Sequence, residues 1–351
     1  MKRIVYVTLA LCIAACALFT APSYAQLPKV AIVTTGGTIA EKLDPKTGGA
    51  VPAVSGKDLA EAVPGLSKVA DIEVVEFSNI DSSQMTPAMW AKLSTTVDRL
   101  LADPAIKGVV VTHGTDTMAE GAYFLELTLK SDKPVVFVGA MRDASDVSPD
   151  GPANILNAVI QASSEEAKGW GVTVTLNQFV NSATNVRKTN STNVQTFDSG
   201  EKGYLGYICM GKVVRYNDAP KRMTFPIPAE LPDVTLLETF AGDDGSLVRY
   251  AADNGAKGIV IEGVGAGNVN ADVYKAVQYA LDKGIAVVVT TSVYHSGVWP
   301  MYGDQGGGAT LEKAGVILGG DLDGPKARLL LMLALAREKS GRAALGKYFS
   351  R

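Results

Sequence analysis

Val30-Ala-Ile-Val-Thr-Thr-Gly-Gly-Thr-Ile-Ala40 opens as a continuous apolar, β-branched run and ends in a double-glycine turn. A strand wetted on one face alternates apolar and polar residues; this run does not, which predicts a strand buried on both faces. Runs of the same kind recur at residues 72–77, 108–112, 135–139 and 172–176. Between them, residues 86–101 place Met89, Leu93, Val97, Leu100 and Leu101 at helical spacing, and residues 118–129 and 151–162 read likewise. Strands alternating with helices imply a mostly parallel sheet covered on both faces. The pattern breaks at residues 215–233, where Pro220, Pro226, Pro228 and Pro232 stand among polar residues and read as a linker. It resumes with strands at 234–239, 258–262 and 285–291 and helices at 247–254, 271–283 and 325–338. The expected class is α/β, with two doubly wound α/β domains. The larger, N-terminal one spans residues 26–214 with a parallel-rich sheet, and a smaller C-terminal α/β domain spans residues 234–351.

The first 25 residues stand outside this pattern. Lys2 and Arg3 precede an apolar stretch from Ile4 to Phe19, and Ala21-Pro-Ser-Tyr-Ala25 ends in a small-x-small site. That order predicts a cleavable signal peptide over residues 1–25 and a periplasmic location. Two rival readings use the same residues: a membrane anchor, for which the run is short, and a lipidated Cys16 in Ile13-Ala-Ala-Cys16. The composition has 33 basic against 36 acidic residues, net charge −3 and 47% hydrophobic residues, which excludes a disordered chain and a basic nucleic-acid binder. Cleavage would remove Cys12 and Cys16 and leave Cys209 alone, so no internal disulfide is expected even in an oxidising compartment. Cys209 lies in the apolar Gly206-Tyr-Ile-Cys-Met210 and reads as a small core residue. Two histidines offer little for a His-built metal centre.

In an open parallel sheet, ligands bind beyond the carboxyl ends of the strands. Two runs end there in polar turns, Gly36-Gly-Thr-Ile-Ala40 and His113-Gly-Thr-Asp-Thr117. Glycines permit tight turns and close approach to a ligand, and a hydroxyl just after them can face a cleft. Free N–H groups at a helix start favour a carboxylate or oxyanion. Thr and Asp are equally ordinary caps and turn residues, so on residue types alone both readings of Thr38 and Thr115 stand. The dinucleotide and phosphate-loop patterns do not follow these glycines, and no G-x-S-x-G elbow occurs. A hydroxyl nucleophile needs a helper. Lys188, in Arg187-Lys-Thr-Asn-Ser-Thr-Asn193, serves if it lies beside Asp116; otherwise it is a solvated surface charge. His113, with no second His or Cys well placed, reads as a hydrogen-bonded strand-end residue.

Residues 34–40 (TTGGTIA) and 112–120 (THGTDTMAE) resemble the two signature motifs of bacterial L-asparaginases. The similarity continues through Asp132-Lys-Pro-Val-Val136, Gly139-Ala-Met-Arg142, Ser148-Pro-Asp-Gly151, residues 188–193, residues 205–208 and residues 263–268, nearly the whole chain after the leader. The resemblance implies an amidohydrolase of the periplasmic, type II branch that converts L-asparagine to L-aspartate and ammonia through a threonine acyl-enzyme. It implies no cofactor and no metal, a small amino-acid substrate (L-asparagine or L-glutamine), and neither nucleic-acid nor membrane partners after signal removal. The family is a homotetramer of two-domain subunits in which a neighbouring subunit completes each site. Thr38 matches the acylated threonine, Thr115 the threonine of the second motif, and Lys188 the lysine of the Thr–Lys–Asp group. Asp116 matches the acid that holds the substrate ammonium, and Ser82 a serine that binds the substrate carboxylate. Ser83 falls where many members have glutamine, and the backbone at Ala140 matches the group that helps hold the reacting amide.

The sequence departs from that pattern in two places. Family members carry a tyrosine on the loop after the first motif, and residues 43–55 contain none. Residues 292–308 differ from the usual type II segment, the family's glutamate has no match there, and Ala266 stands where many members have asparagine. The loop with Thr47-Gly-Gly-Ala50 is expected to be flexible. Either catalysis is weak or another side chain replaces the phenol; Tyr302 first, then Tyr294, could supply it across a subunit contact. The alternative is that both tyrosines are packed structural aromatics. Two rival functions remain: a broad glutaminase-asparaginase, since one methylene is worth only about 1–3 kcal/mol in a pocket, and a non-catalytic periplasmic amino-acid binder. Ammonia release separates the binder from both enzymes.

Overall fold

A computed structural model describes residues 26–52, 55–338, 341 and 344–349. The segment 1–25, read above as an export signal, lies outside them together with Cys12 and Cys16. The first domain contains strands Lys29–Thr34 (β1), Glu41–Leu43 (β2), Ala50–Pro52 (β3), Asp71–Glu76 (β4), Ile106–Thr112 (β5) and Val135–Val138 (β6). Strands Val172–Leu176 (β7), Phe179–Ser182 (β8), Arg187–Lys188 (β9), Phe197–Asp198 (β10), Gly206–Cys209 (β11) and Lys212–Arg215 (β12) follow. Its helices are Gly56–Glu61 (α1), Pro87–Leu101 (α2), Met118–Thr128 (α3) and Gly151–Ser163 (α4).

The main sheet runs β12-β11-β8-β7-β6-β5-β1-β4. Strands β4, β1, β5, β6 and β7 are mutually parallel, and β8, β11 and β12 continue the sheet antiparallel. The chain starts at β1, steps outward to β4, then returns past β1 to β5. Strand order therefore reverses between β1 and β5, and a crevice opens at their carboxyl ends. Strand β1 explains its own sequence: Ala31 and Val33 pack into one core with α2 and α3, and Val30 and Ile32 into the other with α4. Both faces are dry, so both sets of alternate side chains are apolar.

Helix α2 starts where Thr86 accepts a hydrogen bond from the Met89 N–H, with Pro87 in the first turn, and it buries one face through Trp90, Leu93, Val97 and Leu101. Helix α3 is buried almost all round. The reason lies in the second domain, whose strands Val234–Glu238 (β13), Gly258–Gly263 (β14), Ala286–Thr291 (β15) and Ile317–Leu318 (β16) form a smaller sheet in that order, all parallel. Its helices are Ser246–Asp253 (α5), Ala271–Asp282 (α6), Gly308–Lys313 (α7) and Gly324–Arg337 (α8). Helix α8, also buried around most of its circumference, packs against α3, and one hydrophobic core runs through both domains.

Three features differ from the expectation. Residues 216–233 form a packed strap: Phe225 is fully buried with its N–H donating to Leu127 O at 2.7 Å, and Arg222 donates to Leu129 O and Ser131 O at 2.8 Å each. Those bonds satisfy carbonyls at the end of α3, which a free-running linker would leave open. The glycine-rich stretch 43–50 closes the hairpin β2–β3, where the Lys46 N–H donates to Asp44 Oδ1 at 2.9 Å and the Gly48 N–H to Asp44 O at 2.8 Å. Cys209 is half-buried on β11 and carries a free thiol. Among the described residues no helix is long and apolar enough to cross a membrane.

Candidate active site

The crevice is built by three turns that meet backbone to backbone. Gly36 and Gly37 adopt φ +107° and +82°, and a Cβ on Gly37 would lie 2.3 Å from Gly114 Cα. A Cβ on Gly36 would meet Ile80 N at 2.4 Å, and one on Gly114 would meet Ser82 Oγ at 2.7 Å. No residue with a side chain fits at these points. The turns after β1 and β5 and the Ser82 turn are thereby locked together. Thr117 Oγ1 donates to Ser82 O at 2.8 Å and ties the Ser82 turn to the start of α3. Every residue from Val30 to Glu41 is buried except Thr38, which alone opens to the crevice.

At the turn after β5, Lys188 Nζ donates to Thr115 Oγ1 at 2.9 Å and to Asp116 Oδ1 at 2.7 Å. Lys188 is therefore no free surface charge; only 18% of its side chain is exposed, against 68% for Asp116. The two-stranded ribbon β9–β10 that carries Lys188 is held from the second domain. Lys326, 1% exposed on α8, donates to the carbonyls of Thr184 and Val186, just upstream of β9. Arg187 pairs with Asp323 at 3.5 Å, and the Tyr294 hydroxyl donates to Asp198 O at 3.1 Å. Neither Lys326 nor Asp323 was singled out by the sequence.

The remaining positions fall around these turns. Ser82 is buried, Ser83 is exposed one residue on, and Ala140 is buried at the end of β6. A Cβ on neighbouring Gly139 would lie 3.2 Å from Thr115 Cγ2, so Ala140 stands at the rim of the Thr115 turn. His113 is a packed strand-end residue: Nδ1 meets Gly114 O at 2.7 Å and Nε2 accepts from Trp90 Nε1 at 3.3 Å. Burial lowers its pKa to about 4, so it is neutral near pH 7 and its tautomer carries the proton on Nδ1. Tyr294 is structural in its own chain, its hydroxyl pushed up to about 12 by burial and by Asp198, while Tyr302 is half-exposed. Among the described residues no cluster of three His, Cys, Asp or Glu side chains is placed to hold a metal ion.

One group near Thr38 had no sequence signal. Glu41, which follows the 3-10 turn Thr38–Ala40, is 7% exposed, and burial together with the nearby Asp81 carboxyl pushes its own carboxyl up to about 7.

The family model for the N-terminal asparaginase domain matches residues 29–222, and that for the glutaminase/asparaginase C-terminal domain matches residues 233–349. The chain belongs to the asparaginase family. It is 38% identical to the L-asparaginase of Bacillus licheniformis over 89% of this chain and 97% of that one. It is also 38% identical to L-asparaginase 2 of Escherichia coli, over 89% and 90% of the two chains, and to a probable periplasmic L-asparaginase of Haemophilus influenzae, over 93% of both. The structure of a probable cytoplasmic L-asparaginase from Campylobacter jejuni superposes with a TM-score of 0.83 at 41% identity, covering 92% of this chain and 98% of that one. Membership of this family makes the chain a hydrolase of the L-asparaginase type, with the two-domain α/β architecture described above.

Proposed function

We propose that this asparaginase-family enzyme hydrolyses L-asparagine to L-aspartate and ammonia by acyl transfer through Thr38. The observation that carries the reading is the contact of Lys188 with both Thr115 and Asp116 at the switch point of the sheet, in the turn that interlocks with the one bearing Thr38, the one residue of the first motif that is not fully buried. The Thr38 hydroxyl attacks the side-chain amide carbon, ammonia leaves, and water cleaves the β-aspartyl ester. The substrate is a zwitterion. Asp116 holds its ammonium, Ser82 and Thr115 its carboxylate, Ser83 borders the same end, and the backbone at Ala140 holds the reacting amide. Backbone N–H groups of the turns stabilise the tetrahedral oxyanion, commonly the largest electrostatic contribution in acyl transfer. Fixing the amide against the nucleophile supplies much of the rest.

Further parts of the reading are proposals of the same standing. Residues 1–25 direct export to the periplasm, in keeping with the probable periplasmic relative from Haemophilus, whereas the Campylobacter relative is described as cytoplasmic. The folded chain divides at residues 215–233 and assembles as a homotetramer. Ammonia release from L-asparagine, L-glutamine and their D-forms tests the substrate. Turnover of L-asparagine well above L-glutamine supports the reading; equal turnover makes the enzyme a glutaminase-asparaginase; no ammonia from any of them refutes it.

A further inference from the structure

We infer that Arg187 is a positioning residue for Lys188: held by Asp323 of the second domain, it fixes the face of strand β9 and so delivers the Lys188 ammonium to Thr115 and Asp116. The inference rests on the reading of Lys188 as part of the catalytic group. Strand β9 is only two residues long and pairs with the equally short β10, with Arg187 opposite Asp198 and Lys188 opposite Phe197. Successive residues of a strand point to opposite faces, so a slip of one residue would turn Lys188 away from Thr115. A ladder of two pairs resists such a slip poorly and needs anchors on both faces. Phe197, buried in the core, is one of them.

Arg187 supplies the other. Its Nε lies 3.5 Å from Asp323 Oδ2, its Nη2 donates to Asp321 O at 3.4 Å, and its guanidinium carbon stands 5.1 Å from the centre of the Tyr294 ring. All three partners belong to the second domain, whereas Lys188 Nζ meets Thr115 and Asp116 of the first. Two neighbouring cations are thus drawn to opposite sides of the ribbon. A planar guanidinium suits this place, since its edge meets a carboxylate and a carbonyl while its face lies over an aromatic ring. The Arg187 and Asp323 side chains are only 19% and 16% exposed, so water screens the pair less than it screens an exposed one. Asp323 is itself fixed: its Oδ1 accepts from the Lys326 N–H at 2.9 Å and caps α8. Helix α8 packs on α3, which begins just after the Thr115 turn. One helix therefore bears on the lysine strand through Arg187 and on the threonine turn through α3, and the two are set against each other from a common support.

The test is kcat/KM for ammonia release from L-asparagine, with folding checked by urea titration, for Arg187→Met, Arg187→Lys and Asp323→Asn, each with and without Lys188→Met. Arg187→Met should lower kcat/KM by about 10- to 100-fold, the upper figure being what a misplacement of about 1 Å costs. In the Lys188→Met background the same change should cost less than about twofold, since nothing is left to place. Arg187→Lys keeps a cation for Asp323 and should recover most of the loss. Asp323→Asn keeps the helix cap but not the charge, should lower kcat/KM only where Lys188 is present, and carries the test alone if Arg187→Met does not fold. Arg187→Met within about twofold of the parent, equal losses in the two backgrounds, or no recovery in Arg187→Lys overturns the inference alone. Parental kcat/KM in Lys188→Met overturns the reading of Lys188 beneath it, and the inference with it.

Discussion

Lys188 Nζ lies 2.9 Å from Thr115 Oγ1 and 2.7 Å from Asp116 Oδ1, although 73 and 72 residues separate them along the chain. The Asp116 side chain is largely in water, where such a pair contributes only about 0–1 kcal/mol. The contact is therefore a weak support for the fold, and on the proposed reading it orients Thr115. Lys188→Met should shift the denaturation midpoint by the equivalent of less than about 1 kcal/mol while cutting kcat/KM by about 100-fold or more. Combining it with Asp116→Ala should cost little beyond the poorer single variant, since groups acting as a unit are non-additive. Multiplying losses would mean that the two side chains act separately.

Lys326 fixes that orientation from the second domain. With Met at this position, the buried carbonyls of Thr184 and Val186 lose a donor. The expected cost is about 1–3 kcal/mol of stability. Because those carbonyls precede the strand bearing Lys188, kcat should fall as well, under conditions where urea titration still finds the variant fully folded. An unfolding midpoint that drops with kcat intact would make Lys326 a packing residue only.

Gly37→Ala tests the interlocked turns. The new methyl would sit 2.3 Å from Gly114 Cα at a backbone φ of +82°. Neither atom can yield without moving the other turn. Destabilisation of at least about 2 kcal/mol is expected, read from urea midpoints. Gly48→Ala, also at positive φ (+71°) but with open space around its Cβ, is the control and should cost less.

Glu41 and His113 give pH dependences of opposite sign. The Glu41 pKa is raised from 4.5 to about 7, so its contribution to stability is present below pH 4.5 and is lost as pH rises toward 7. The His113 pKa is lowered from 6.5 to about 4, so its contribution is present above pH 6.5 and is lost as pH falls toward 4. Relative to the parent, Glu41→Gln should therefore gain stability as pH is raised from 4.5 to 7, by about 2 kcal/mol over the window. Paired urea titrations across that range measure it; a flat difference would show that Glu41 is not held protonated by its surroundings.

The parallel core of the fold was legible because its strands are dry on both faces, and Val30–Val33 announce that by their composition. Helix α3 was legible as a helix, but only α8 explains why it lacks a wet face. The antiparallel strands β8, β11 and β12 were missed: each has four residues, and the β7–β8 turn uses Asn177 and Gln178, both at positive φ, rather than a glycine. Thr38, Thr115, Asp116 and Lys188 stood out through their motifs, and the structure adds the contact that joins the last three. Glu41 and Lys326 carried no signal, since each reads as an ordinary surface charge until a hairpin or a neighbouring domain closes over it.

The central claim is that Thr38 forms the acyl-enzyme, and steady-state ammonia release by Thr38→Ala tests it most directly. The account predicts a folded variant that still binds L-aspartate but turns over L-asparagine at least about 1,000-fold more slowly than the parent. Turnover within tenfold of the parent would contradict it.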